Sequence, residues 1–370
     1  MKIGVLTSGR ADYGVYNSLL SDLSGDDFFD LHIIAFGMHL MPKYGNTIEQ
    51  IKQDKFGQIH EVIDLLTDDD TLSIAKAYAR VCDAFAKFYN DNSFDLVVAL
   101  GDRFEMNAAV QAGIPFNVRF AHIHAGETTL GAIDNIYRHQ ISLASELLFT
   151  ATEDYQNEAT KYNNRGSNVY NVGALSLDNI EIIAFDEKDF FIDKFDLPNK
   201  EYALVTFHPE TVRANENEKF AREMYDALLA ISHDIYIVVT MPNADTSGSV
   251  YREKLQELKK EIPNQISLIE NFGKRHYFNA MHYAKFMLGN TSSGIIEAAS
   301  FGKYVINVGA RQEGRSQSTN VLNCNFEARA IIEQVDILKN KGNYKGENVY
   351  FQNNVAPKII EKIKQYFEKL

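Results

Sequence analysis

Six ionisable side chains, His122, His124, Glu127, Asp134, Arg138 and His139, fall within 18 residues. Carboxylates gathered this way can stabilise a developing cation and move protons, and imidazoles transfer protons near neutral pH. On an extended strand His122 and His124 share a face, because side chains alternate. With Glu127 they form a candidate metal trio. The trio lacks a convincing further ligand and has an arginine nearby, which disfavours a cation, so no metal is expected. Asp134 and Arg138 are an i,i+4 pair on one helix face. Alone that is a surface salt bridge; so many charges after one strand point instead to a binding cleft.

Asp102 stands in Gly101-Asp102-Arg103-Phe104-Glu105, directly after the apolar run Leu96–Leu100. A carboxylate beside positive charge at a strand's carboxyl end suits a cleft, and an N-cap for the next helix is the plainer alternative. Ser8-Gly9-Arg10-Ala11-Asp12-Tyr13 follows the first strand. Gly9 permits a tight turn there, while free helix N–H groups and Arg10 can meet an anion. No Gly-x-Gly-x-x-Gly fingerprint occurs, so no dinucleotide cofactor is expected.

The second half supplies Phe207-His208-Pro209-Glu210 and Met241-Pro242-Asn243-Ala244-Asp245. Gly289-Asn290-Thr291-Ser292-Ser293-Gly294 then opens a helix containing Glu297. Hydroxyls beside helix N–H groups make a diphosphate seat, and Glu297 lies where it can reach ribose hydroxyls. A plain Ser/Thr cap with a dipole-favoured Glu is the alternative. The motif lacks the lysine of a P-loop, which argues against ATP hydrolysis. Arg311 and Arg315 sit in a polar loop after the last strand of this series.

Strand and helix patterns alternate so that each of these motifs follows a strand. Strands are predicted over Lys2–Thr7, Leu31–Phe36, Leu96–Leu100, Val118–His122 and Val169–Gly173. The intervening helices are Val15–Leu23, Leu72–Tyr89, Met106–Ala112 and Ala132–Ser145. After the charged, Phe-rich stretch Ile180–Lys200 the cycle resumes with strands Tyr202–Thr206, Ile235–Thr240, Ile266–Ile269, Phe286–Leu288 and Tyr304–Val308. The matching helices are Glu218–Ile231, Val250–Lys260, Arg275–Tyr283 and Gly294–Phe301. The pattern predicts an α/β protein of two Rossmann-like domains facing an interdomain cleft, with ligands outside the carboxyl ends of the strands. The expected division is residues 1–178 and 179–355. A C-terminal helix, within 356–370, is expected to pack back on the first domain. A chain of 370 residues is also longer than one core usually serves.

The net charge of −13, from 37 basic and 50 acidic residues without a basic patch, argues against nucleic acid and anionic membranes as partners. No apolar run approaches the roughly 20 residues that cross a bilayer. The first residues enter a strand pattern directly, so a signal peptide is not expected. The 2 cysteines, Cys82 and Cys324, have neither zinc nor redox spacing. A reduced, cytoplasmic location is the expectation.

Taken together the motifs resemble the hydrolysing UDP-N-acetylglucosamine 2-epimerases over nearly the whole chain. The resemblance runs through Arg10-Ala11-Asp12-Tyr13, Gly37-Met38-His39-Leu40 and Tyr44-Gly45-Asn46-Thr47. It continues in Gly101-Asp102-Arg103-Phe104, His122-Ile123, Gly126-Glu127, Gly131-Ala132-Ile133-Asp134 and Arg138-His139. In the second half it covers His208-Pro209, Gly289-Asn290, Ser292-Ser293, Glu297, Arg311-Gln312 and Gly314-Arg315. It implies a GT-B-like fold and an enzyme of sialic-acid-type precursor pathways. Such an enzyme turns a UDP-linked 2-acetamido sugar and water into UDP and the free C2-inverted sugar, with no metal or redox cofactor. UDP and the C2 proton leave first, giving a 2-acetamidoglycal, and water then adds at C1 while C2 is reprotonated from the other face. Carried over residue by residue, Asp102 and Asp134 would transfer protons and stabilise the cation, with Glu127 a third carboxylate. Arg138 belongs to the same catalytic group. Arg10, Arg103, His208, Thr291, Ser292, Ser293, Gly294 and Arg315 would hold the diphosphate, His208 also assisting its departure. Glu297 would hold the ribose, and Asn243, Phe272 and Gly273 would sit near UDP or uracil. Two positions depart from relatives. His124 stands where some carry a Glu implicated in the chemistry, so either His124 or Glu127 takes that part; Ala125 replaces a usual Gly. The resemblance implies a homodimer or homotetramer. The alternatives are a non-hydrolysing epimerase, a GT-B glycosyltransferase and a non-catalytic UDP-sugar sensor.

Overall fold

Apolar runs such as Ile3–Thr7 and Leu96–Leu100 are buried almost throughout, as parallel strands covered on both faces require. The computed structural model describes residues 1–369 apart from 43–44, 46, 66–67, 69, 164–166, 181–184 and 243–247. The chain divides into two units: Met1–Thr128, Asp134–Glu181 and Tyr350–Leu370 form unit 1, and Thr129–Ile133 with Ile182–Val349 form unit 2. Unit 2 spans Ile182–Val349 where 179–355 was expected, and it also takes the short segment Thr129–Ile133.

Unit 1 contains β1 (Lys2–Thr7), β2 (Asp30–Gly37), β3 (Gln58–Asp64), β4 (Leu96–Leu100), β5 (Phe120–Ile123), β6 (Leu147–Thr150) and β7 (Val169–Asn171). They form one sheet in the order β3-β2-β1-β4-β5-β6-β7, and every pairing is parallel. Ile3 stands opposite Leu31 on one side and Leu96 on the other, which puts β1 at the centre. The helix Arg10–Ser24 buries Tyr13, Tyr16, Leu19, Leu20 and Leu23 at helical spacing on one face of the sheet. The helix Val355–Phe367 joins it there through Val355, Ala356, Ile359, Ile360 and Ile363. Asp178 starts that helix, its carboxylate accepting from Val355 N at 2.8 Å and Ala356 N at 3.3 Å. Satisfying such end groups is typically worth about 1 kcal/mol. Thr71–Asp91 covers the other face with Ala77, Val81, Phe85 and Tyr89.

Unit 2 contains β8 (Tyr202–Thr206), β9 (Tyr236–Thr240), β10 (Ile266–Ile269), β11 (Phe286–Gly289), β12 (Val305–Val308) and β13 (Val321–Cys324). Its sheet runs β10-β9-β8-β11-β12-β13, again all parallel. One core lies under the helices Asn217–Ile231, Gly248–Glu261 and Ala328–Lys339, and the other under Gly273–Tyr283. Among the described residues no helix is long and apolar enough to cross a membrane.

Candidate active site

The strand order reverses between β1 and β4 in unit 1 and between β8 and β11 in unit 2. At such a point the loops leaving adjacent strands diverge, opening a crevice at the carboxyl ends. The turn after β1 and the motif after β4 flank the first switch point. The His208 and Asn290–Ser293 segments flank the second.

In unit 1, Gly101 takes a left-handed φ of +76° after β4 and its carbonyl meets His122 Nε2 at 2.7 Å. A carbonyl can only accept, so Nε2 carries the proton and Nδ1 accepts from the Ser142 hydroxyl at 2.9 Å. Burial holds the His122 pKa down at about 3. His122 is therefore a neutral strut between β5 and its surroundings. β5 ends at Ile123, and His124 lies beyond it at φ +64°, so the two imidazoles do not share a strand face as the alternation implied. Among the described residues no group of three His, Cys, Asp or Glu converges to hold a metal.

A left-handed backbone is uncommon for a residue with a side chain and costs on the order of 1 kcal/mol. Here it turns His124 onto Glu127, with Nδ1 at 2.5 Å from Oε1. A carboxylate accepts, so Nδ1 is the protonated nitrogen and Nε2 is the one left for proton exchange. Ala125 packs its buried methyl with Leu148 and Ala159.

Arg138 is buried and gathers the group. One Nη donates to the Asp102 carboxylate; the other donates to the His124 carbonyl at 2.7 Å and lies 3.6 Å from Glu127 Oε2. Asp102 is thus no helix cap, the N-cap position being taken by Arg103. Asp134 begins the helix Asp134–Ala144 that presents Arg138 one turn later. After burial, the Asp134 charge is the next cause of the raised Tyr137 pKa, followed by that of Glu105. Asp102, His124, Glu127 and Arg138 are therefore brought together directly, with Asp134 at the start of the same helix.

The first turn is built differently from the expectation of free N–H groups. The Asp12 carboxylate accepts from Ser8 N at 2.6 Å and Gly9 N at 2.9 Å, and burial raises its pKa. Glu105 is fully buried and accepts from Arg103 Nε and from the Ser8 hydroxyl at 3.2 Å. Arg103 accordingly neutralises internal carboxylates. Arg10 is exposed at the first position of its helix. Beside this turn, His39 bridges the Thr7 and Thr47 hydroxyls at 2.9 and 2.7 Å, and burial first, then Arg10, hold its pKa at about 4.

In unit 2, Gly289 has φ +138°, and a Cβ there would stand 1.9 Å from the Thr206 carbonyl, so only glycine fits. The next residue, Asn290, accepts from His208 N at 2.7 Å and donates to His208 O at 2.8 Å. His208 is thereby fixed at the switch point. Thr291 is the N-cap of Ser292–Ile296, yet its hydroxyl bonds Ser293 Oγ at 3.0 Å instead of capping. Tyr277 joins Ser293 at 2.7 Å, and the Thr206 and Thr240 hydroxyls pair at the neighbouring strand ends. Burial pushes Tyr277 up to about 12, which keeps it a neutral phenol able to donate. These three residues were not singled out from sequence. The signal available was that Thr206 and Thr240 both close apolar strands.

Gly294 lets this helix lie on β12, since a Cβ would meet Val305 Cγ1 at 2.9 Å. The expected single helix Gly294–Phe301 is instead broken at Glu297, where α-helix gives way to a 3-10 turn, Ala298–Phe301. The Phe272 ring packs on Phe195 and Phe191, at centroid distances of 4.7 and 5.9 Å, which makes it part of the unit 2 core. Gly273 has φ +68° with open space about its missing side chain. Arg311 and Gln312 donate to the Asn290 carbonyl at 3.2 and 2.8 Å, and the Arg315 N–H donates to the Gln312 carbonyl. Asn243, Tyr44 and Asn46 lie outside the described residues.

Two all-parallel α/β units, each with its motif loops at the switch point, place the protein in the GT-B-like class. The same fold is seen in a UDP-GlcNAc 2-epimerase from Neisseria meningitidis bound to UDP-GlcNAc, with TM-score 0.78, 18% identity, and coverage of 99% of this chain and 100% of that one. A Staphylococcus aureus MnaA–UDP structure matches at TM-score 0.79 and 16% identity, over 100% of this chain and 97% of that one. Residues 21–364 match the sequence profile of the UDP-N-acetylglucosamine 2-epimerases, and the chain belongs to that family. Relatives include the UDP-N,N'-diacetylbacillosamine 2-epimerase (hydrolyzing) of Legionella pneumophila, 33% identical over 364 residues, covering 98% of this chain and 95% of that protein. The GDP/UDP-N,N'-diacetylbacillosamine 2-epimerase (hydrolyzing) of Campylobacter jejuni is 32% identical over 322 residues, covering 87% of this chain and 83% of that protein.

Proposed function

We propose that the protein is a hydrolysing 2-epimerase that converts a UDP-linked 2-acetamido sugar and water into UDP and the free C2-inverted sugar. The observation that carries this reading is the buried Arg138 holding Asp102 and the His124–Glu127 pair at the ends of β4 and β5. The C2 hydrogen of the sugar is not beside a carbonyl, so a base can take it only as C1 becomes cationic. Carboxylates fixed around that carbon serve both needs. The C1–O bond breaks with its electron pair going to the diphosphate, the C2 proton passes to a carboxylate, and a C1=C2 bond forms. In the second step C2 takes a proton on the opposite face while a water oxygen adds to C1 and gives up its own proton. Asp102 and Asp134 are assigned to proton transfer and cation stabilisation. Glu127 fixes the His124 tautomer so that Nε2 can exchange protons. The hydroxyls of Thr291, Ser292 and Ser293, with His208, Arg10, Arg103 and Arg315, hold the departing diphosphate, Glu297 the ribose, and Asn243 and the Gly273 backbone the uracil.

The first substrate to test is UDP-N,N'-diacetylbacillosamine, because two relatives at 32–33% identity carry that name. UDP-GlcNAc is the second. Incubating purified protein with each and identifying the products tests the reading. Free UDP with a free C2-inverted sugar is expected. A C2-inverted sugar still attached to UDP, or transfer of the sugar to an added acceptor, would overturn it.

A further inference from the structure

The five residues Thr129–Ile133 belong to unit 2, whereas the chain on either side, ending in Thr128 and resuming at Asp134, belongs to unit 1. The segment is held within unit 2 at three places. Leu130 N donates to the Glu313 carbonyl at 2.9 Å, and Ile133 N donates to the Thr211 hydroxyl at 2.9 Å. Between them Gly131 lies against the Ala310–Arg311 backbone so closely that a Cβ would stand 2.1 Å from Ala310 O and 2.6 Å from Arg311 Cα. The two loops that grip the segment are themselves tied together. Glu210, fully buried, accepts from Ala310 N at 2.7 Å and from Arg213 at 2.6 Å. The Arg311–Gln312 loop is further bound to the Asn290 carbonyl, and Asn290 clamps His208. A continuous set of contacts therefore runs from Gly131 to the residues assigned to the diphosphate. Glu127 and Asp134 bracket the gripped segment in sequence.

We infer that Thr129–Ile133 is a positioning strap, which sets Glu127 and Asp134 according to the state of the nucleotide-binding loops of unit 2. Gly131 and Thr211 are its positioning residues; neither is among the residues assigned to the reaction. The inference rests on the proposed 2-epimerase reading. A chain held at its middle by one unit transmits any movement of the gripping loops to both flanks. Displacement of about 1 Å at a reacting group can cost on the order of 10²-fold in rate.

The test uses the full chain, UDP as probe, and the variants Gly131→Ala and Thr211→Ala. In wild type, UDP should slow amide exchange over residues 127–138, outside the loops that bind it. Gly131→Ala should lose that protection and about tenfold or more in kcat, with UDP affinity within about twofold of wild type. Thr211→Ala removes one hydrogen bond and no backbone, so it should fold and show the same split at several-fold; it carries the test where Gly131→Ala is unstable. A purely structural role would lower folded protein and leave kcat per folded enzyme and the UDP response unchanged, which overturns the strap. Wild-type protein that binds UDP without protecting 127–138 also overturns it. Wild-type protein that neither binds UDP nor turns over a UDP-sugar defeats the functional reading itself.

Discussion

Replacing Asp102 by Asn removes one negative charge and leaves the side-chain shape. Asp102 is 23% exposed and its partner Arg138 only 3%, with Glu127 Oε2 remaining 3.6 Å from the guanidinium. Breaking a fully buried ion pair costs about 3–5 kcal/mol. Here the amide oxygen can still accept from Arg138 and Glu127 supplies a second counter-charge, so a loss of about 1–2 kcal/mol is expected. Catalysis should suffer far more. An amide cannot accept the C2 proton or stabilise a cation at C1, and losing general acid–base catalysis costs about 10²–10⁴-fold in kcat. Asp102 is assigned to the sugar carbons and not to the diphosphate, so UDP affinity should stay within about twofold. Urea unfolding, calorimetric UDP titration and initial rates of UDP release separate the three quantities. Turnover within about threefold of wild type would refute the assignment of Asp102, and a UDP affinity falling in step with turnover would refute its separation from the diphosphate-binding residues.

Ser292→Ala and His208→Ala should each weaken UDP binding about tenfold or more, the worth of one hydrogen bond to a charged group, as read by calorimetry. Gly289→Ala should cost about 3 kcal/mol or more in urea unfolding, because its Cβ would stand 1.9 Å from the Thr206 carbonyl at a φ of +138°. Two buried histidines set an acid limb of stability. The pKa of His122 is held at about 3 and that of His39 at about 4, against an ordinary 6.5. Below pH 6.5 the unfolded chain takes up protons that the folded one refuses, so stability is full above that pH and is lost as pH falls. Each histidine should account for about 2 kcal/mol between pH 8 and pH 5. Unfolding free energies measured across this range should lose one proton of slope in His122→Gln, and an unchanged slope would contradict the assignment.

The motif loops were legible because each follows an apolar run and carries residues that neither strand nor helix needs. Edge strands were less visible: β3, with Gln58, His60 and Glu61, is only half-buried, and β13 has four residues. The helix Ala328–Lys339 had a readable signal in Ile331, Val335 and Leu338, whose spacing is helical. Arg138 shows where sequence spacing is incomplete. Its i,i+4 neighbour Asp134 was the visible partner, while the contact that organises the site reaches Asp102 on another strand's loop. His122 and His124 fail for a related reason, since the period-two rule holds only while the strand continues and β5 stops between them. The passage of Thr129–Ile133 into unit 2 depends on tertiary packing at Gly131, which has no local periodicity to announce it.

The central claim is elimination to a glycal followed by hydration, carried out by the carboxylates at the ends of the unit 1 strands. Its most direct test is turnover of the UDP-sugar in deuterated, oxygen-18-labelled water, with the product analysed by NMR and mass spectrometry. The account predicts a free C2-inverted sugar carrying solvent deuterium at C2 and oxygen-18 at C1, with none of the label in the UDP bridging oxygen. A product that keeps its original C2 hydrogen would contradict it.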